Sequence, residues 1–390
     1  MIQGEKHLLT RADERTERKP RLILISPTAG TLEEFEKSGF LIRQVALIRE
    51  YGRAFEVDYY TSDVRDYSPV LSVRHHPLPI KLRTYGLKHL VFWIFLVIKA
   101  SSMNAPIRTF GVEVPTLPLI RKLSRQKIIA GFQWDYAGTT RANYSGIKKW
   151  MANLIQACGF RGADLVVCTT DRLRSIAEKN YHRKAVVIPN FVDFRVFDKT
   201  SQKDDQIVYA GRLHWSKGID VLLSAFKEIV RNFPSYRLIL CGTGDAENSL
   251  RERTTKETIP NVEFLGPVKQ DELAQYMARA KAFVLPTLES EGHPKALMEA
   301  MACGTACIAT CVPGNKDVIT DNVNGLLVGP GDSRGIFQAL SRILSDGAFR
   351  NSLESEAYRF AKKYSLTAVF RSEISLINSF VNGRIQAGPE

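Results

Sequence analysis

The chain has 390 residues, of which 44% are hydrophobic, and a formal net charge of +13. This length exceeds what one hydrophobic core usually holds, so two domains are expected, and the apolar content excludes a wholly disordered protein. Six scattered cysteines exclude a disulfide framework and favour a reducing compartment. Cys303, Cys307 and Cys311 recur every fourth residue, but the run passes from a helix into a strand. They are therefore predicted to be buried small residues and not metal ligands.

The excess positive charge lies in the first half of the chain. Residues 1–195 hold 31 Lys and Arg against 18 Asp and Glu, whereas residues 196–390 hold 23 of each. Within the first half, residues 72–127 contain ten basic residues and one acid, Glu113. Such a window favours an anionic partner, either a membrane surface, a phosphorylated substrate or nucleic acid, although a solvated basic face remains an alternative.

The chain begins with a charged segment, residues 1–20, that lacks the apolar core of a secretory signal. We expect a disordered tail there and a cytoplasmic protein. RLILISP is then a predicted strand, GFLIRQVALIREYG an amphipathic helix ended by Gly52, and FEVDYYTS a second strand. The alternation continues through KIIAGF, a helix around Lys148–Cys158, ADLVVCTT and AVVIPN. An N-terminal parallel-sheet domain over residues 21–197 is expected.

One segment of this first half is unusually apolar. Leu90–Ile98 is nine consecutive apolar residues with lysines on both sides. Spanning a bilayer takes about 20 residues, so the segment does not predict a membrane span. Two interpretations stay open, a core helix of the sheet layer and an interfacial helix whose aromatic side chains enter lipid while the cations meet phosphate headgroups.

A polar segment, residues 198–206, is the predicted linker, after which strands and helices alternate again. A second domain is expected over residues 207–365, and a C-terminal helix within residues 366–390 is expected to pack back on the first domain. Two tandem Rossmann-like, doubly wound α/β domains facing across a cleft are therefore predicted. Ligands of such sheets bind beyond the carboxyl ends of the strands.

Three loops after predicted strands of the second half have the residues that phosphates require. AGRLHWSKG carries two cations, Arg212 and Lys217, which suit phosphate oxygens. CGTGD carries Gly242 and Gly244, which let a ligand approach the backbone closely. Strand-end glycines are commonly just turns, so this second signal is weak alone.

The third loop, ESEGHPKALME, leads into a helix for which Pro294 is a suitable first residue. The free N–H groups of Lys295, Ala296 and Leu297 would then point into the cleft and could hold a phosphate. Glu291 lies in the approach loop, and Glu299 lies one turn into the helix, where it could accept hydrogen bonds from ribose hydroxyls. Surface glutamates on a solvated helix are the alternative.

These motifs together resemble the donor-binding domain of retaining GT-B glycosyltransferases of the glycosyl transferases group 1 family. The resemblance rests on GRLHWSKG, EGHPKALME, AMACGTACIAT and GNKDVITDNVNGLLVGPGD, and on VVIPNFVD before the linker. They occur in order over roughly residues 165–335. The family has a GT-B fold and transfers sugars from nucleotide sugars.

The resemblance implies roles for individual residues. Arg212 and Lys217 would bind the donor diphosphate, Glu299 the donor ribose, and Glu291 the transferred sugar, so that Glu291, Arg212 and Lys217 form the catalytic set. The backbone around Leu265–Val268 would face the base. The remaining implied donor contacts are Gly211, Gly242, Gly244, Val268, His293, Pro294, Lys295, Ala296 and Leu297. A UDP- or GDP-linked sugar is the implied co-substrate, and the family needs no metal or other cofactor.

The first half departs from the family pattern. The loop after the first strand, PTAGTLEEFEKSGF, has only Gly30 and Gly39 where members often have a glycine pair. Many members place a histidine after a middle strand, whereas GFQWDYAG offers Trp134 and Asp135. Gly30 and Asp135 are the candidates for contacting the acceptor or the sugar, with a structural role for Asp135 as the alternative.

The sequence therefore predicts a hexosyltransferase that moves a sugar, with retention, from a nucleotide sugar to an acceptor hydroxyl, in synthesis of a cell-surface glycan or glycolipid. Its expected partners are a glycan, lipid-linked or other anionic acceptor and an anionic membrane surface contacted through residues 72–127, on the cytoplasmic face. No recognised nucleic-acid module occurs. The alternatives are a GT-B sugar-nucleotide epimerase or phosphorylase, and a catalytically dead membrane-associated protein of the same fold.

Overall fold

A computed structural model describes residues 19–26, 31–38, 41–82, 84–133, 135, 146–200 and 202–385. The described residues form two α/β domains, each built on its own parallel sheet. The prediction of two parallel-sheet domains is confirmed. The predicted tail lies outside the described residues except for its last two positions.

The N-terminal sheet has seven strands, all parallel, whose central members are buried because helices cover both faces. Their bounds are β1 (Arg21–Ile25), β2 (Glu56–Tyr60), β3 (Arg74–His76), β4 (Ile107–Thr109), β5 (Ile128–Phe132), β6 (Leu165–Cys168) and β7 (Ala185–Val187).

The described helices of this domain are α1 (Leu32–Ser38), α2 (Leu41–Ala54), α3 (Ser68–Leu71), α4 (Tyr85–Ala100), α5 (Leu117–Ser124), α6 (Ile147–Gly162) and α7 (Asp171–Tyr181). One face of the sheet packs on α4, α5, α6 and α7, and the opposite face packs on α2. The two sides form separate apolar cores.

The C-terminal sheet has six parallel strands, β8 (Asp204–Ala210), β9 (Arg237–Cys241), β10 (Val262–Gly266), β11 (Ala280–Leu285), β12 (Ala306–Thr310) and β13 (Leu326–Val328). Its helices are α8 (Ile219–Asn232), α9 (Glu247–Lys256), α10 (Gln270–Arg279), α11 (Lys295–Ala302), α12 (Ser333–Ser345) and α13 (Gly347–Lys362). A final helix, α14 (Leu366–Val381), follows.

Each sheet contains a point where the order of the strands reverses. The N-terminal order is β3-β2-β1-β4-β5-β6-β7, and the C-terminal order is β10-β9-β8-β11-β12-β13. Consecutive connections therefore run to opposite sides at β1/β4 and at β8/β11. Loops that diverge at the carboxyl ends of such neighbours leave a crevice between them, which is where ligands of doubly wound sheets bind.

The last helix, α14, packs on the N-terminal domain, on the same face of the sheet as α2. Phe370 and Phe380 belong to that core, and the Tyr51 and Phe370 rings meet edge to face. Beneath the helix, Arg108 on β4 donates to Glu373 at 2.9 Å, and both side chains are buried. The chain thus crosses between the domains twice.

Three expectations about particular elements are wrong. Gly52 does not end α2, which continues to Ala54; a Cβ at Gly52 would stand 2.8 Å from Val73, so the glycine allows close packing. The linker is shorter than 198–206, because residues 204–206 open β8. At the amino end of this strand, the Asp204 carboxylate accepts a hydrogen bond from Arg279 at 2.7 Å.

The third concerns the cysteines. Cys303 and Cys307 are fully buried, as expected, but Cys311 is exposed, because it lies one residue beyond the end of β12. The core-helix interpretation of Leu90–Ile98 holds for one side of the helix, and the interfacial interpretation stays a prediction. Phe92 and Leu96 enter the core, whereas three of the other apolar side chains face solvent. None of the helices described is long and apolar enough to cross a membrane.

We expect Glu373→Ala to lower the free energy of unfolding by about 3–5 kcal/mol, because it leaves the buried Arg108 guanidinium unpaired. The double variant Arg108→Met/Glu373→Leu should recover most of the loss. Urea unfolding followed by circular dichroism measures both. Glu356→Ala, which breaks the exposed Arg359–Glu356 pair, is the control and should cost below about 1 kcal/mol. If Glu373→Ala and Glu356→Ala lowered the free energy of unfolding by similar amounts, the result would contradict the assigned role of the buried pair.

Candidate active site

A cavity of about 340 Å³ opens at the β8/β11 crossover of the C-terminal sheet. The loops after β8, β9 and β10 and the start of α11 form its walls. It is lined by Ala210, Gly211, Arg212, Cys241, Gly242, Thr243, Pro267, Val268, Leu273, Lys295, Ala296 and Glu299. Seven of the residues predicted to contact the donor are in this lining.

The loops after β8 and β9 lie against each other without intervening side chains. A Cβ at Gly242 would stand 1.9 Å from the Gly211 carbonyl oxygen, and one at Gly244 would stand 2.0 Å from that of Leu213. Leu213 N–H donates to the Thr243 carbonyl at 2.9 Å. Gly244 is thus needed for contact between loops, whereas Gly242 also lines the cavity.

The loop after β8 is also fixed to the loop after β11. Gly218 has φ +63°, and a Cβ there would stand 2.2 Å from the Pro286 carbonyl oxygen. Leu288 N–H donates to the Ser216 carbonyl at 2.8 Å. Lys217 therefore sits on a short 3₁₀ turn held from both sides, and its ammonium position is set by the fold.

Lys217 and Glu291 form an ion pair between the loops after β8 and β11, and neither of them is in the cavity lining. The Lys217 Nζ lies 2.5 Å from Glu291 Oε1, and both side chains keep part of their surface exposed. Glu291 is held by its N–H, which donates to the Pro313 carbonyl, and by Gly314, where a Cβ would stand 2.6 Å from the Glu291 carbonyl oxygen. Two of the three residues predicted to be catalytic are thus held in contact, and Arg212 is not part of this ion pair.

The guanidinium of Arg212 is exposed, and within the described residues no side-chain hydrogen bond or ion pair engages it. Its backbone carbonyl accepts from the Tyr209 hydroxyl at 2.8 Å, which fixes the main chain below the side chain. A cation fixed at its base and unpaired at its tip is available to an anion that enters the cavity.

The helix α11 begins beside the cavity. It starts at Lys295, so Pro294 occupies the position before the helix and not its first residue as predicted. No side chain caps this end, and the first N–H groups of a helix have no partner within it. Ala296 and Lys295 line the cavity, whereas the Leu297 side chain is fully buried. The open end carries a partial positive charge toward the cavity.

Glu299, which forms part of the cavity floor, has a partner that was not predicted from the sequence. Arg43 on α2, in the N-terminal domain, donates from Nη1 to Glu299 Oε1 at 3.0 Å and from Nη2 to the Phe191 carbonyl at 2.9 Å. Its backbone N–H donates to Gln270 Oε1 at 3.1 Å. The cation in GFLIRQVALIREYG was visible in the sequence, but nothing in helical periodicity indicates a partner 256 residues away.

Burial shifts the acid–base properties of this floor. The pKa of Glu299 is raised by desolvation, which Arg43 and Lys295 oppose. The pKa of Lys295 is lowered to about 8, chiefly by desolvation and then by the charge of Arg43, while Glu299 opposes the shift. The pKa of His293 is lowered to about 4, chiefly by burial.

His293 is 8% exposed, and its Nδ1 is buried without a hydrogen-bond partner. Its carbonyl accepts from Asn190 at 2.9 Å, which ties the loop to the N-terminal domain. A neutral imidazole with an unsatisfied ring nitrogen next to the start of α11 has hydrogen-bonding capacity left for a ligand.

The acceptor-side candidates are only partly described. Gly30 and Trp134 lie outside the described residues. Asp135 accepts from Gln156 Nε2 at 3.0 Å, a contact that a structural role explains. The end of β5 nevertheless reaches the Glu291 loop, since the Gln133 carbonyl oxygen lies 3.3 Å from the Cβ position of Gly292.

A larger cavity, of about 470 Å³, lies elsewhere. It is bounded by Lys127, Asp164 and Phe380, at the amino ends of β5 and β6, and so at the end of the sheet opposite to the cleft. No group of three His, Cys, Asp or Glu side chains among the described residues is arranged to hold a metal ion.

Residues 193–360 match the family model described as Glycosyl transferases group 1. The match lies almost wholly within the C-terminal domain, which is similar to glycosyltransferases of this family. The chain is 32% identical over 206 residues to a phosphatidyl-myo-inositol mannosyltransferase of Mycolicibacterium smegmatis, covering 51% of this chain and 53% of that protein. It is 27% identical to an uncharacterized glycosyltransferase, MJ1178, of Methanocaldococcus jannaschii, covering 52% and 56%. The chain thus spans about half the length of these curated relatives.

Solved structures resemble the whole chain. Sucrose-phosphate synthase from Thermosynechococcus elongatus superposes with a TM-score of 0.74 at 19% identity, over 94% of this chain and 100% of that one. Anabaena HepE in complex with UDP and glucose gives 0.73 at 17% identity, over 92% and 99%. At these identities the likeness shows the fold, and the predicted GT-B fold is confirmed.

We expect the stability of the protein to depend on His293 between pH 7 and 5. The His293 imidazole has a pKa of about 4 in the folded protein, whereas a histidine in the unfolded chain takes up a proton near pH 6.5. The free energy of unfolding therefore keeps its full value above pH 6.5 and falls as the pH is lowered toward 4. The loss should reach about 2 kcal/mol by pH 5. Urea unfolding of the wild type and of His293→Asn across this range measures it. Equal pH slopes in the two proteins would contradict the buried neutral state.

Proposed function

We propose that the protein transfers a sugar, with retention, from a UDP- or GDP-linked donor to an acceptor hydroxyl in glycan or glycolipid synthesis. The observation that carries the proposal is the cavity at the β8/β11 crossover. It places an unpaired Arg212, an open helix end and a buried carboxylate within one glycosyl transferases group 1 domain. These groups complement the diphosphate and the ribose of a nucleotide sugar.

On the donor side, Arg212 and the α11 start neutralise the diphosphate, and Glu299 accepts from the ribose hydroxyls. Pro267 and Val268 form an apolar wall beside the base. Glu299 Oε1 already accepts from Arg43, so ribose binding adds to, or replaces, a contact between the domains. Support for a nucleotide comes from HepE of Anabaena, whose structure contains UDP.

The Lys217–Glu291 pair separates when the donor binds. A diphosphate carries more charge than a carboxylate, so the ammonium turns toward the phosphates and releases Glu291 to the sugar hydroxyls. During transfer the bond between the anomeric carbon and the phosphate oxygen breaks, and the acceptor oxygen bonds to that carbon on the same face. The acceptor proton passes to the departing phosphate. The positive groups stabilise the negative charge that develops there.

The acceptor enters from the N-terminal domain. The end of β5 reaches the Glu291 loop, so an acceptor bound beside Gln133 would lie next to the sugar that Glu291 contacts. The phosphatidyl-myo-inositol mannosyltransferase and a Campylobacter jejuni N-acetylgalactosaminyltransferase named for an undecaprenol-linked substrate are relatives with lipid-linked acceptors in their names. They favour a lipid-linked acceptor for this chain.

We expect UDP or GDP to raise the melting temperature of the full chain, because only the folded cavity binds the diphosphate; ligand at 100 times its Kd adds about 2.7 kcal/mol. Differential scanning fluorimetry against UDP, GDP and their sugars measures the shift and identifies the donor. UMP and GMP, which lack the second phosphate, are the matched controls. No shift with any nucleoside diphosphate would contradict the donor site.

We expect Lys217→Ala and Glu299→Ala each to lower transfer at least about a hundredfold, the scale of one lost transition-state contact. Release of nucleoside diphosphate with the identified donor and acceptor measures the rate. Lys227→Ala is the control, since Lys227 forms a comparable ion pair, with Glu257, away from the cavity. Near-normal transfer by either site variant would contradict the proposal. Diphosphate release without an acceptor, or a change of the donor sugar, would indicate a different reaction.

A further inference from the structure

The helices α4, α5 and α6 lie side by side on one face of the N-terminal sheet and leave apolar side chains in solvent. Of the fifteen large apolar side chains that are exposed in the described residues, ten belong to these three helices. The ten are Leu87, Leu90, Ile94 and Ile98 on α4, Leu119 and Leu123 on α5, and Ile147, Trp150, Met151 and Leu154 on α6. We call this set the apolar face.

Spacing explains why the apolar face is continuous on each helix. On α4 and α5 the exposed residues follow one another at intervals of three or four. On α6 the intervals are three, one and three. Each of these spacings places the residues on one side of an α-helix. The opposite sides, with Phe92, Ile120 and Phe160, pack on the sheet. The exposed sides therefore point away from the domain, where no described part of the chain covers them.

The charge of the same helices is of one sign. Together they contain seven Lys and Arg and no Asp or Glu, namely Lys88, Lys99, Arg121, Lys122, Lys148, Lys149 and Arg161. The neighbouring α7, in contrast, mixes Asp171 and Glu178 with its three cations. Lys99 follows Ile98 and Lys149 precedes Trp150, so long cationic side chains border the exposed apolar residues.

We propose that the apolar face binds the surface of an anionic lipid bilayer. Apolar side chains on an interfacial helix enter the boundary between headgroups and acyl chains, while flanking lysines meet the lipid phosphates. A bilayer satisfies both features at once. In a symmetric dimer, by comparison, each copy would set the cations that border its apolar face, such as Lys99 and Lys149, against the same cations of its partner. The proposal stands independently of the transferase function.

The geometry also fixes the orientation of the bound protein. Both α4 and α6 begin at the end of the sheet to which the carboxyl ends of the strands point, as does the cleft. Leu87, Ile147 and Trp150 lie at the start of these helices, so the cleft opens beside the headgroups. The contact surface differs from the 72–127 window, because it includes α6 and leaves out the segment before α4.

The test is flotation of the full chain with vesicles of phosphatidylcholine, with and without phosphatidylglycerol. The expected result is binding to the anionic vesicles, weakened by raising the NaCl concentration from 0.1 to about 0.5 M, where charge screening is stronger. Ile94→Glu and Ile98→Glu should each reduce partitioning into vesicles at least about tenfold, since each removes an aliphatic side chain that enters the lipid in the bound state. Lys122→Gln and Lys149→Gln should each reduce it about fivefold.

Val323→Glu is the matched control, because Val323 is equally exposed but lies in the C-terminal domain. It should bind vesicles as the wild type does, and all variants should keep the wild-type melting temperature. Quenching of tryptophan fluorescence by brominated acyl chains should fall in Trp150→Phe, a readout that needs no loss of binding. Equal binding to neutral vesicles, absence of binding, or a lipid-free dimer that Ile94→Glu dissociates would each overturn the proposal.

Discussion

The Arg43–Glu299 ion pair joins a helix of one domain to the floor of the cavity in the other. Both groups are withdrawn from water, and a buried charge is tolerated only when it is paired. Separation of the domains would leave Glu299 as a buried carboxylate without its guanidinium, in a place where burial already raises its pKa. The same contact therefore joins the two domains and contributes to the charge of the cavity floor.

Around that floor, the cavity is rigid because its loops touch through glycines. Gly218, Gly242 and Gly244 each allow a neighbouring carbonyl oxygen to approach within a distance that a Cβ would forbid. The loops after β8, β9 and β11 are thus in direct contact with one another, and Arg212 and Lys217 are positioned by the main chain below them. Rigid placement of cations lowers the cost of reorganisation when charge develops on a ligand.

Much of this arrangement could be predicted from the sequence, because local patterns determine local structure. Apolar runs alternating with amphipathic stretches gave two parallel sheets, and strand-end motifs such as GRLHWSKG indicated where a cavity would open. Contacts between distant segments could not be predicted in this way. The partner of Arg43, and the use of Gly244 for loop contact, depend on how two domains or two loops approach. The need for a glycine at position 52 within α2 likewise depends on Val73, a neighbour that periodicity does not reveal.

The return of α14 to the first domain has a consequence for synthesis on the ribosome. The face of the first sheet that packs on α2 is fully covered only when Phe370, Leu376 and Phe380 have been made, although the last strand of the sheet ends at Val187. At translation rates of about 5–20 residues per second, the uncovered interval lasts on the order of 10–40 s. During that time the nascent chain presents to the cell the part of this apolar face that α2 leaves uncovered, which is the kind of surface that chaperones bind.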